Sequence, residues 1–512
     1  MKPYKAKRRI DYSVYLVTDS TPAVLGTRDL LRMVEDALRG GVTVVQLRDK
    51  NGQHDQVVAM ARALHAVTKK FQVPLLINDR VDVAVEVGCE GVHIGQDDMK
   101  VALAREMLGP DKIIGVSANT AAEAITACRE GADYLGLGTV YATSTKRDTK
   151  SIIGPQGVRD ILAALAVAGY DSTPTVCIGG ISTTNAAAIL TQAHFPDKAL
   201  SGVAVVSAIV SASDAAAAAR SLLSTVLKSR IPDVVKQISE KTPLSHNMTN
   251  LVVQNFAANI AHAVGASPIM SNLADEAQDL VRLGGALVVN LGTVTPDGLQ
   301  NLLRAVEVYN RAGRPIVLDP VGAGATTVRR EAVKQLLTEG HFDVIKGNAS
   351  ELLTVAGTIM VQRGVDSTAI VSLEQRATLA RDLARKQSCV VVLTGITDIV
   401  SDGRRTVRID NGHELLGCVT GTGCTLGTTL SAALAAFAHD HLTAAVAATV
   451  MFGVAAEMAA RNSKVEGPGT FVPVFIDQLY KIRKATEEND VGWVASAKVE
   501  VVQVDDSNNQ VM

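Results

Sequence analysis

Residues 46–50 have the side chains of a phosphate-binding site. They continue the apolar run Val44-Val45 as Gln46-Leu47-Arg48-Asp49-Lys50, and the alternation of an extended strand would place Gln46, Arg48 and Lys50 on one face. Three hydrogen-bond donors, two of them cationic, would then meet at the end of a strand. A solvated strand tip explains one such segment at least as well, but polar strand ends recur along the first half of the chain.

Acidic residues follow the next two apolar runs. Asn78-Asp79-Arg80 comes after one run, and Gly95-Gln96-Asp97-Asp98 comes after the next. Carboxylates on neighbouring strand ends suit a Mg²⁺ ion that bridges a polyphosphate, because Mg²⁺ prefers hard oxygen ligands. Asp79 and Asp98 are therefore the candidate metal ligands, although Asp79 could instead pair with Arg80 or cap the next helix. His93 lies within its run and is more typical of a hydrogen-bonded core histidine.

Hydroxyl groups and glycines follow the remaining apolar runs of the first half. Ser117 begins one polar stretch, and a second stretch, residues 139–146, combines hydroxyls with a lysine. Such stretches can wrap an anion, but they are also common in ordinary loops. Gly179-Gly180 permits a close backbone approach, and Val206-Ser207 ends the last run. Backbone N–H groups at these two places would suit a phosphate.

Eight short apolar runs, separated by alanine-rich helical stretches, must position these groups. The pattern predicts eight βα units, which fill a (β/α)8 TIM barrel. Reactive groups in such a barrel lie at the C-terminal ends of the strands, and phosphate sites commonly follow strands seven and eight. The runs cover residues 14–18, 43–47, 74–77, 91–94, 113–116, 134–137, 175–178 and 202–206.

The order of these motifs resembles that of the thiamine-phosphate synthase family. The matching motifs are Gln46-Leu47-Arg48-x-Lys50, Asn78-Asp79-Arg80, His93-x-Gly95-Gln96-x-Asp98, Thr143-x-Thr145-Lys146, Gly179-Gly180-Ile181 and Val206-Ser207. The resemblance implies that 4-amino-5-hydroxymethyl-2-methylpyrimidine pyrophosphate and 4-methyl-5-(2-phosphoethyl)thiazole are the substrates, with Mg²⁺ on Asp79 and Asp98. It places the pyrimidine pyrophosphate on Gln46, Arg48, Lys50, Asn78, Ser117 and Lys146. It places the thiazole phosphate on Thr143, Ser144, Thr145, Gly180, Val206 and Ser207.

The chemistry of that family fits the residues present. When pyrophosphate leaves a CH₂ group on an electron-rich aminopyrimidine, positive charge delocalises into the ring, while Mg²⁺, Arg48, Lys50 and Lys146 stabilise the departing anion. Arg48 and Lys146 are therefore the candidate catalytic residues of the first half. The thiazole nitrogen then attacks, and no general base is required. Asn119 departs from the histidine of many family members, which weakens any role for an imidazole there.

The second half alternates helices with apolar strands and predicts an α/β layered sheet. Val419-Thr420-Gly421-Thr422-Gly423-Cys424 opens a long alanine-rich helix, whose N–H groups and dipole could hold a phosphoryl group. Asp319-Pro320-Val321-Gly322 places a carboxylate before a flexible turn, and Lys346-Gly347-Asn348-Ala349-Ser350-Glu351 combines a cation with a carboxylate. Each could be an ordinary glycine-rich turn, but three together favour a nucleotide phosphate site. The predicted strands cover residues 285–290, 315–319, 342–346 and 388–394.

With residues 246–250, 265–270 and 393–395, these stretches resemble hydroxyethylthiazole kinase, a ribokinase-like family. The resemblance implies that Met270 and Gly421 contact the thiazole alcohol, that Lys346 and Thr394 contact ATP, and that Cys424 takes the active-site, catalytic position. Asp319 and Glu351 are further candidates for organising Mg²⁺. Related sugar kinases carry an aspartate base where this chain has Cys424. A thiol is a poor substitute, so catalysis is expected mainly from positioning and charge stabilisation.

Two domains are predicted, with a boundary near residue 235. Helical segments lie on either side of Pro232, and Thr242-Pro243 then breaks the pattern. Residues 1–235 form the predicted TIM barrel, and residues 236–512 form the predicted ribokinase-like domain. Order is uncertain from the sequence after Trp493, and residues 502–512 are predicted to be disordered.

Composition favours small-molecule substrates. The formal net charge is −2 and aromatic residues make up 3% of the chain, which argues against nucleic-acid and membrane-surface partners. Residues 444–460 are apolar, but Thr449 and Glu457 favour a buried core helix over a membrane span. The basic residues 2–9 precede no apolar signal region, and the six cysteines form no CxxC pair. A cytoplasmic protein is therefore expected.

The two resemblances support each other, because the product of the kinase is the acceptor of the synthase. Together they predict a bifunctional enzyme of thiamine biosynthesis. A regulator that binds these ligands without turnover would be expected to have lost phosphate or metal groups, yet these are all present. A sugar kinase fused to another phosphate-binding barrel is disfavoured by Cys424 and by the residues 46–50. The kinase family is typically trimeric, so a homo-oligomer, a trimer or a multiple of three, is expected.

Overall fold

The computed structural model describes residues 10–143, 145, 151–358 and 372–504. Ser144 and Lys146, both predicted site residues, lie outside this described part. The chain divides into two compact units, Met1–Ser229 and Arg230–Met512, compared with a predicted boundary near residue 235.

The first unit is a closed barrel of eight parallel strands in sequential order, with β8 paired to β1. This confirms the predicted TIM barrel. Every strand is largely buried, as expected for a parallel sheet that is covered on its outer face by helices. The strands are β1 Val14–Val17, β2 Val44–Leu47, β3 Leu75–Asn78, β4 Gly91–Ile94, β5 Ile113–Ala118, β6 Tyr134–Leu137, β7 Thr175–Ile178 and β8 Gly202–Val205.

Amphipathic helices surround the barrel. Helix α2, for example, buries Leu30, Met33 and Val34, and it begins where the Asp29 carboxylate accepts a hydrogen bond from the Arg32 N–H at 2.8 Å. The helices of this unit are α1 Pro22–Leu25, α2 Leu30–Arg39, α3 His54–Lys70, α4 Val81–Val87, α5 Val101–Leu108, α6 Ala121–Arg129, α7 Gly154–Val167, α8 Ala186–Gln192 and α9 Ser207–Val210. Helix α10, Ala215–Lys241, begins in this unit and ends in the second.

Helix α10 corrects the expectation of two helical segments around Pro232. It is one helix of 27 residues with Pro232 inside it. An internal proline removes one backbone hydrogen bond and costs about 3 kcal/mol. Val226, Leu227, Ile231 and Val234 are fully buried around it, and burial of a few such side chains outweighs that cost.

The second unit contains a nine-stranded sheet in the order β10-β9-β11-β12-β13-β14-β15-β16-β17. Strands β10 to β14 are parallel, and β14 to β17 are antiparallel, so the predicted layered α/β class is confirmed. The strands are β9 Leu244–Met248, β10 Ser267–Ile269, β11 Ala286–Asn290, β12 Ile316–Asp319, β13 Val344–Asn348, β14 Val390–Thr394, β15 Asp398–Ser401, β16 Thr406–Ile409 and β17 Val499–Val501.

The four predicted strands of this unit correspond to β11–β14, and the other five strands were missed. Strand β9 was missed because Ser245, His246 and Asn247 look like a polar loop, although all three are buried. Their polar atoms are satisfied inside the protein: the two His246 nitrogens lie 3.1 Å from the Tyr309 hydroxyl and 3.0 Å from the Ser271 carbonyl.

Helices alternate with most of these strands along the chain, and three α-helices lie between β16 and β17. The α-helices are α11 Gln254–Val264, α12 Ala277–Leu280, α13 Pro296–Arg311, α14 Thr327–Glu339, α15 Ala349–Ala356, α16 Leu373–Gln387, α17 Thr422–Ala436, α18 His441–Ala460 and α19 Pro468–Glu487. Short 3₁₀ helices cover Ala274–Glu276, Val281–Leu283, Glu414–Leu416 and Gly492–Ser496. Among the described residues, α18 alone is long and apolar enough to cross a membrane, and 94% of its most apolar window is buried inside the protein, as predicted for a core helix.

The structure shows an ordered segment after Trp493, where order was uncertain from the sequence, and it corrects the predicted disorder at residues 502–504. Strand β17 pairs with β16, and the Val502 N–H donates to the Thr406 carbonyl at 2.9 Å. Lys498 adds an ion pair, with its Nζ 3.0 Å from Glu457 Oε1. Alternating buried valines on β17 complete the edge of the sheet, which the composition of so short a segment did not reveal. The remaining part of the predicted disordered tail, residues 505–512, lies outside the described residues.

Candidate active sites

A cavity of about 150 Å³ lies at the C-terminal ends of the barrel strands. This is the end at which TIM barrels place their reactive groups. All the predicted barrel residues that the structure describes line this cavity. They are Gln46, Arg48, Lys50, Asn78, Asp79, Asp98, Ser117, Thr143, Thr145, Gly180, Val206 and Ser207.

Gln46, Arg48 and Lys50 line the cavity with side chains that differ in exposure. Gln46 is 3% exposed within β2, whereas Arg48 and Lys50 follow the end of the strand at Leu47. The Arg48 N–H donates to Thr18 Oγ1 at 3.1 Å, which ties this turn to the neighbouring strand end. Lys50 is half exposed, with its Nζ 3.5 Å from Asp79 Oδ2. The cationic residues Arg48 and Lys50 therefore lie nearer the surface than the buried Gln46 amide.

Asp79 and Asp98 form a carboxyl pair at one side of the cavity. Burial, a hydrogen bond with Asp98 and the charge of Asp98 raise the pKa of Asp79 to about 6. Burial opposes ionisation of Asp98 too, but hydrogen bonds from Asp79 and from the Gly95 N–H (2.7 Å), together with Lys50, lower its pKa. Once both are ionised, these two neighbouring carboxylates are a donor set that fits Mg²⁺, which binds through one or two carboxylates and substrate phosphates.

Glycines line the opposite side of the cavity. Gly179 and Gly180 both have positive φ angles, 103° and 65°. A Cβ atom on Gly180 would lie 2.7 Å from the Ala142 carbonyl oxygen, so only glycine lets this backbone pass. Thr143 Oγ1 lies 2.8 Å from Thr145 Oγ1 nearby. Among the described residues, backbone N–H groups and hydroxyls form this side of the cavity, which suits an anion.

Several cavity residues were missed by sequence reasoning. Asp19, 5% exposed, follows β1 and lines the cavity, and the end of the first predicted strand was the signal that could have found it. Tyr15 also lines the cavity from within β1. His93 is hydrogen-bonded as predicted, to Tyr134 and Ser117, but it faces the cavity as well. Asn119 instead donates its N–H to Glu123 Oε2 at 2.7 Å, near the start of α6.

The candidate site of the second unit contains polar and charged residues at the carboxyl ends of β11, β12 and β13. Lys346 Nζ lies 3.2 Å from Asp319 Oδ1, and Asn290 Nδ2 donates to Asp319 Oδ2 at 2.9 Å. Asp319 is fully buried and Lys346 is 4% exposed. Burial opposes the charge on Lys346, but Asp319 and Glu351 prevail and raise its pKa. Lys346 is therefore a charged ammonium group, held in place below the surface.

Glu351 joins the two loops that follow β12 and β13. Its carboxylate accepts from the Gly322 N–H at 2.8 Å and from the Asn348 N–H at 2.9 Å. The Glu351 N–H in turn donates to Asn348 Oδ1 at 3.0 Å, which completes a capping box on α15. Burial raises the pKa of Glu351 to about 7. The contacts give this residue an architectural role in the site, while its predicted part in organising Mg²⁺ stays a prediction.

The N-terminus of α17 faces this cluster. Gly421 precedes the helix with φ 95°, and no side chain caps the first turn, so the first N–H groups can serve an anion. A Cβ on Gly423 would lie 3.4 Å from Lys346 Nζ. Cys424 accepts a hydrogen bond from Asn250 Nδ2 at 3.6 Å, and burial raises the pKa of its thiol to about 11. A helix N-terminus, an ammonium group and a neutral thiol therefore meet at one place.

Met270 and Thr394 lie on opposite sides of this centre along the sheet. Met270 follows β10, which pairs with β9, whereas Thr394 ends β14, where it is in register with Asn348 of β13. Both residues are half-buried. The edge of the sheet thus carries the predicted alcohol-binding residue at one side, the predicted nucleotide-binding residue at the other, and the buried Lys346 between them.

Comparisons with known proteins agree with both domains. The family model described as "Thiamine monophosphate synthase" matches residues 14–209, and the model described as "Hydroxyethylthiazole kinase family" matches residues 235–485. Over 518 residues the chain is 40% identical to the "Probable thiamine biosynthetic bifunctional enzyme" of Schizosaccharomyces pombe, which covers 96% of this chain and 99% of the relative.

Two further relatives match nearly the whole chain and about half of it, respectively. The "Thiamine biosynthetic bifunctional enzyme" of Saccharomyces cerevisiae is 36% identical over 540 residues, or 96% of this chain and 99% of the relative. The "Hydroxyethylthiazole kinase" of Methanocella arvoryzae is 43% identical over 249 residues, or 49% of this chain and 92% of the relative.

The two folds and the two family models define a fusion of two α/β transferases, a synthase barrel followed by a kinase. The chain belongs to the family of thiamine biosynthetic bifunctional enzymes, with a thiamine-phosphate synthase domain and a hydroxyethylthiazole kinase domain. Both resemblances predicted from the motifs are confirmed.

Proposed function

We propose that the second domain transfers the γ-phosphoryl group of ATP to the hydroxyl of 4-methyl-5-(2-hydroxyethyl)thiazole. The first domain then joins the resulting thiazole phosphate to 4-amino-5-hydroxymethyl-2-methylpyrimidine pyrophosphate and releases pyrophosphate. The observation that carries the coupling step is the barrel cavity, in which the Asp79–Asp98 pair and the cations Arg48 and Lys50 lie opposite the Gly179-Gly180 backbone. One cavity thus offers separate places for two anions.

In the barrel, the C–O bond to pyrophosphate breaks as a C–N bond to the thiazole nitrogen forms. Arg48 and Lys50 stabilise the leaving pyrophosphate, and Mg²⁺ held by Asp79 and Asp98 would neutralise further charge on it. Lys146, outside the described residues, is proposed as a third cation on the same anion. Gln46, Asn78 and Ser117 orient the pyrimidine.

The thiazole phosphate occupies the opposite side of the cavity. It is proposed to bind Thr143, Ser144, Thr145, Gly180, Val206 and Ser207. Two anions kept apart in this way leave the thiazole ring free to approach the pyrimidine carbon.

In the kinase domain, the γ-phosphoryl group is proposed to lie at the N-terminus of α17. The N–H groups there and the charge of Lys346 stabilise the phosphoryl group as its bond to the ADP leaving group breaks and its bond to the alcohol oxygen forms, with loss of the alcohol proton. Met270 and Gly421 bind the thiazole alcohol, and Thr394 binds ATP. Lys346 is buried and cannot move as freely as a surface lysine. Its contact with ATP is therefore proposed to be with the γ-phosphate, which would lie deepest in the site.

The assembly and location of the protein are further proposals. A homo-oligomer of three chains, or a multiple of three, is proposed from the kinase resemblance, and its mass in solution can be measured by light scattering. A mass of one or two chains at working concentration would contradict it. A cytoplasmic location is proposed from the six cysteines without CxxC pairing.

Separate assays of the two half-reactions test the assignment of the sites. Asp79→Asn is expected to lower the coupling rate at least about 100-fold and to leave thiazole phosphorylation unchanged, because it removes a proposed ligand of the Mg²⁺ that would neutralise the leaving pyrophosphate. Lys346→Met is expected to do the reverse. The matched controls are Asp97→Asn and Lys334→Met, which alter exposed residues. Equal loss of both activities in either site variant would contradict separate sites.

A further inference from the structure

A continuous chain of hydrogen bonds crosses the barrel interior beneath the cavity. Gln46 Nε2 donates to the Tyr15 hydroxyl at 2.6 Å, and the Tyr15 and Tyr134 hydroxyl oxygens lie 2.7 Å apart. Tyr134 reaches His93 Nδ1 at 2.8 Å, and His93 Nε2 reaches Ser117 Oγ at 2.9 Å. Both ends of the chain, Gln46 and Ser117, line the cavity.

Five strands contribute to this chain, and two glycines make room for it. A Cβ atom on Gly115 of β5 would lie 2.0 Å from the Tyr134 ring, and one on Gly136 of β6 would lie 3.0 Å from the His93 ring. Tyr15 and Tyr134 are 1% and 0% exposed. The rings are held by close packing, so the hydroxyls have little freedom to find other partners.

The donors and acceptors along the chain favour one proton arrangement. The Gln46 amide nitrogen can only donate, so the Tyr15 oxygen accepts from it and passes its own proton to Tyr134. If Tyr134 donated to Tyr15 instead, the proton of the buried Tyr15 hydroxyl would lose its partner, which is costly. Tyr134 therefore donates to His93 Nδ1, and the His93 Nε2–H donates to Ser117 Oγ.

This arrangement fixes what the two ends present to the cavity. Gln46 Nε2 is engaged with Tyr15, so its carbonyl oxygen is left as an acceptor. Ser117 Oγ accepts from His93, so its own proton is left for donation. An aminopyrimidine offers the complementary pair, because its amino group donates and its ring nitrogen accepts.

We propose that Tyr15, Tyr134 and His93 are positioning residues of the synthase site, which hold the Gln46 carbonyl as an acceptor and the Ser117 hydroxyl as a donor for an aminopyrimidine. This inference rests on the proposed function of the barrel for its ligand, but the proton arrangement itself is a property of the protein without substrate. The two parts can therefore be tested separately.

The proton arrangement is tested by NMR on the full-length, unliganded protein with ¹⁵N-labelled histidine. The hydrogen bonds place a proton on His93 Nε2 and none on Nδ1, and a His93→Gln variant identifies the signals of this ring. A proton on Nδ1, in either the other neutral form or the imidazolium, would overturn the inference. This result does not depend on whether the barrel has synthase activity.

The positioning role is tested by coupling kinetics of Tyr134→Phe against Tyr12→Phe. Tyr12 is a matched control, since it is 4% exposed, its ring centroid lies 4.7 Å from that of Tyr134, and its hydroxyl is outside the chain. Tyr134→Phe is expected to raise KM for the pyrimidine pyrophosphate roughly five- to tenfold, the effect of about one lost hydrogen bond. KM for the thiazole phosphate and the kinase activity are expected to stay unchanged.

A conservative series at His93 separates positioning from packing. His93→Gln can still donate to Ser117, so its KM for the pyrimidine pyrophosphate should lie between those of the wild type and His93→Leu. Equal effects of Tyr134→Phe and Tyr12→Phe, or of the two His93 variants, would overturn the positioning role. Absence of any coupling by the wild-type protein would contradict the proposed function, whereas the NMR result would stand.

Discussion

At the scale of single residues, Cys424 lies in the centre of the kinase site with its thiol protonated at neutral pH. Burial, followed by the charge of Asp319, raises its pKa to about 11, and Lys346 only partly opposes this. A neutral thiol that accepts a hydrogen bond from Asn250 is a poor acceptor for the proton of an alcohol. The structure therefore supports catalysis by positioning and charge stabilisation.

For that reason, Cys424→Ala is expected to lower kcat for thiazole phosphorylation by less than about 100-fold, below the usual loss of a positioned general base. KM for ATP should stay unchanged. Initial rates of ADP release measure both constants. Cys418→Ala is the control, because Cys418 is an exposed cysteine just before the same helix. A loss of about 1,000-fold or more in Cys424→Ala alone would show that the thiol is the base.

At the scale of elements, one largely buried carboxylate joins three parts of the kinase domain. Asp440 caps the N-terminus of α18, where it accepts from the Thr443 N–H at 3.2 Å. Its oxygens also lie 2.8 Å from Arg405 Nη2, just before β16, and 3.7 Å from Arg230 Nη1 on α10. Burial opposes the charge, but Arg405 and then Arg230 hold the pKa of Asp440 well below its usual range.

Asp440→Asn is expected to destabilise the kinase domain by about 3–5 kcal/mol at pH 7, the typical cost of breaking a buried pair. The lowered pKa means that wild-type Asp440 contributes stability above its unfolded pKa of about 4, and that this contribution is lost as the pH falls below that value. The difference between the two proteins should therefore shrink in acid.

Urea unfolding followed by the fluorescence of Trp493, the single tryptophan of the chain, measures this difference. Trp493 belongs to the kinase domain, where its indole N–H donates to Thr486. Asp297→Asn, an exposed acid in the first turn of α13, is the control and should change little. A pH-independent difference would show that Asp440 acts through its shape as a cap and not through its charge.

At the scale of the whole molecule, each domain holds its own set of site residues. The barrel cavity is lined by residues between Tyr15 and Ser207, and the buried kinase cluster extends from Asn250 to Cys424. A substitution in one site therefore leaves the residues of the other site unchanged.

An equimolar mixture of Asp79→Asn and Lys346→Met is therefore expected to convert the thiazole alcohol, ATP and the pyrimidine pyrophosphate into thiamine phosphate, although each variant alone makes almost none. Thiazole phosphate released by one variant can diffuse to the other. The final rate should approach half that of the wild type at equal total protein, as measured by chromatography of the product. A mixture that makes the intermediate but no product would reveal obligatory transfer within one chain.

The sequence predicted the barrel site in detail because parallel strands place their carboxyl ends at one edge. Each predicted strand therefore led directly to residues such as Asp79, Asp98 and Gly180. The kinase sheet was predicted less completely, because β9 buries polar residues and because β10, β15, β16 and β17 are only three or four residues long. Hydrophobic periodicity does not detect either kind of strand.

Sequence alone determined the two folds, their order and the residues that could bind phosphate, because strand periodicity and motif order are local properties of the chain. Only the tertiary structure decided how those groups are used. Burial and the neighbouring Asp98 raise the pKa of Asp79, burial keeps the Cys424 thiol neutral, and Lys346 is held against Asp319. The tertiary structure also links Gln46 to Ser117 through Tyr15, Tyr134 and His93. Hydrogen bonds and desolvation depend on neighbours that are distant in sequence, and no local pattern encodes them.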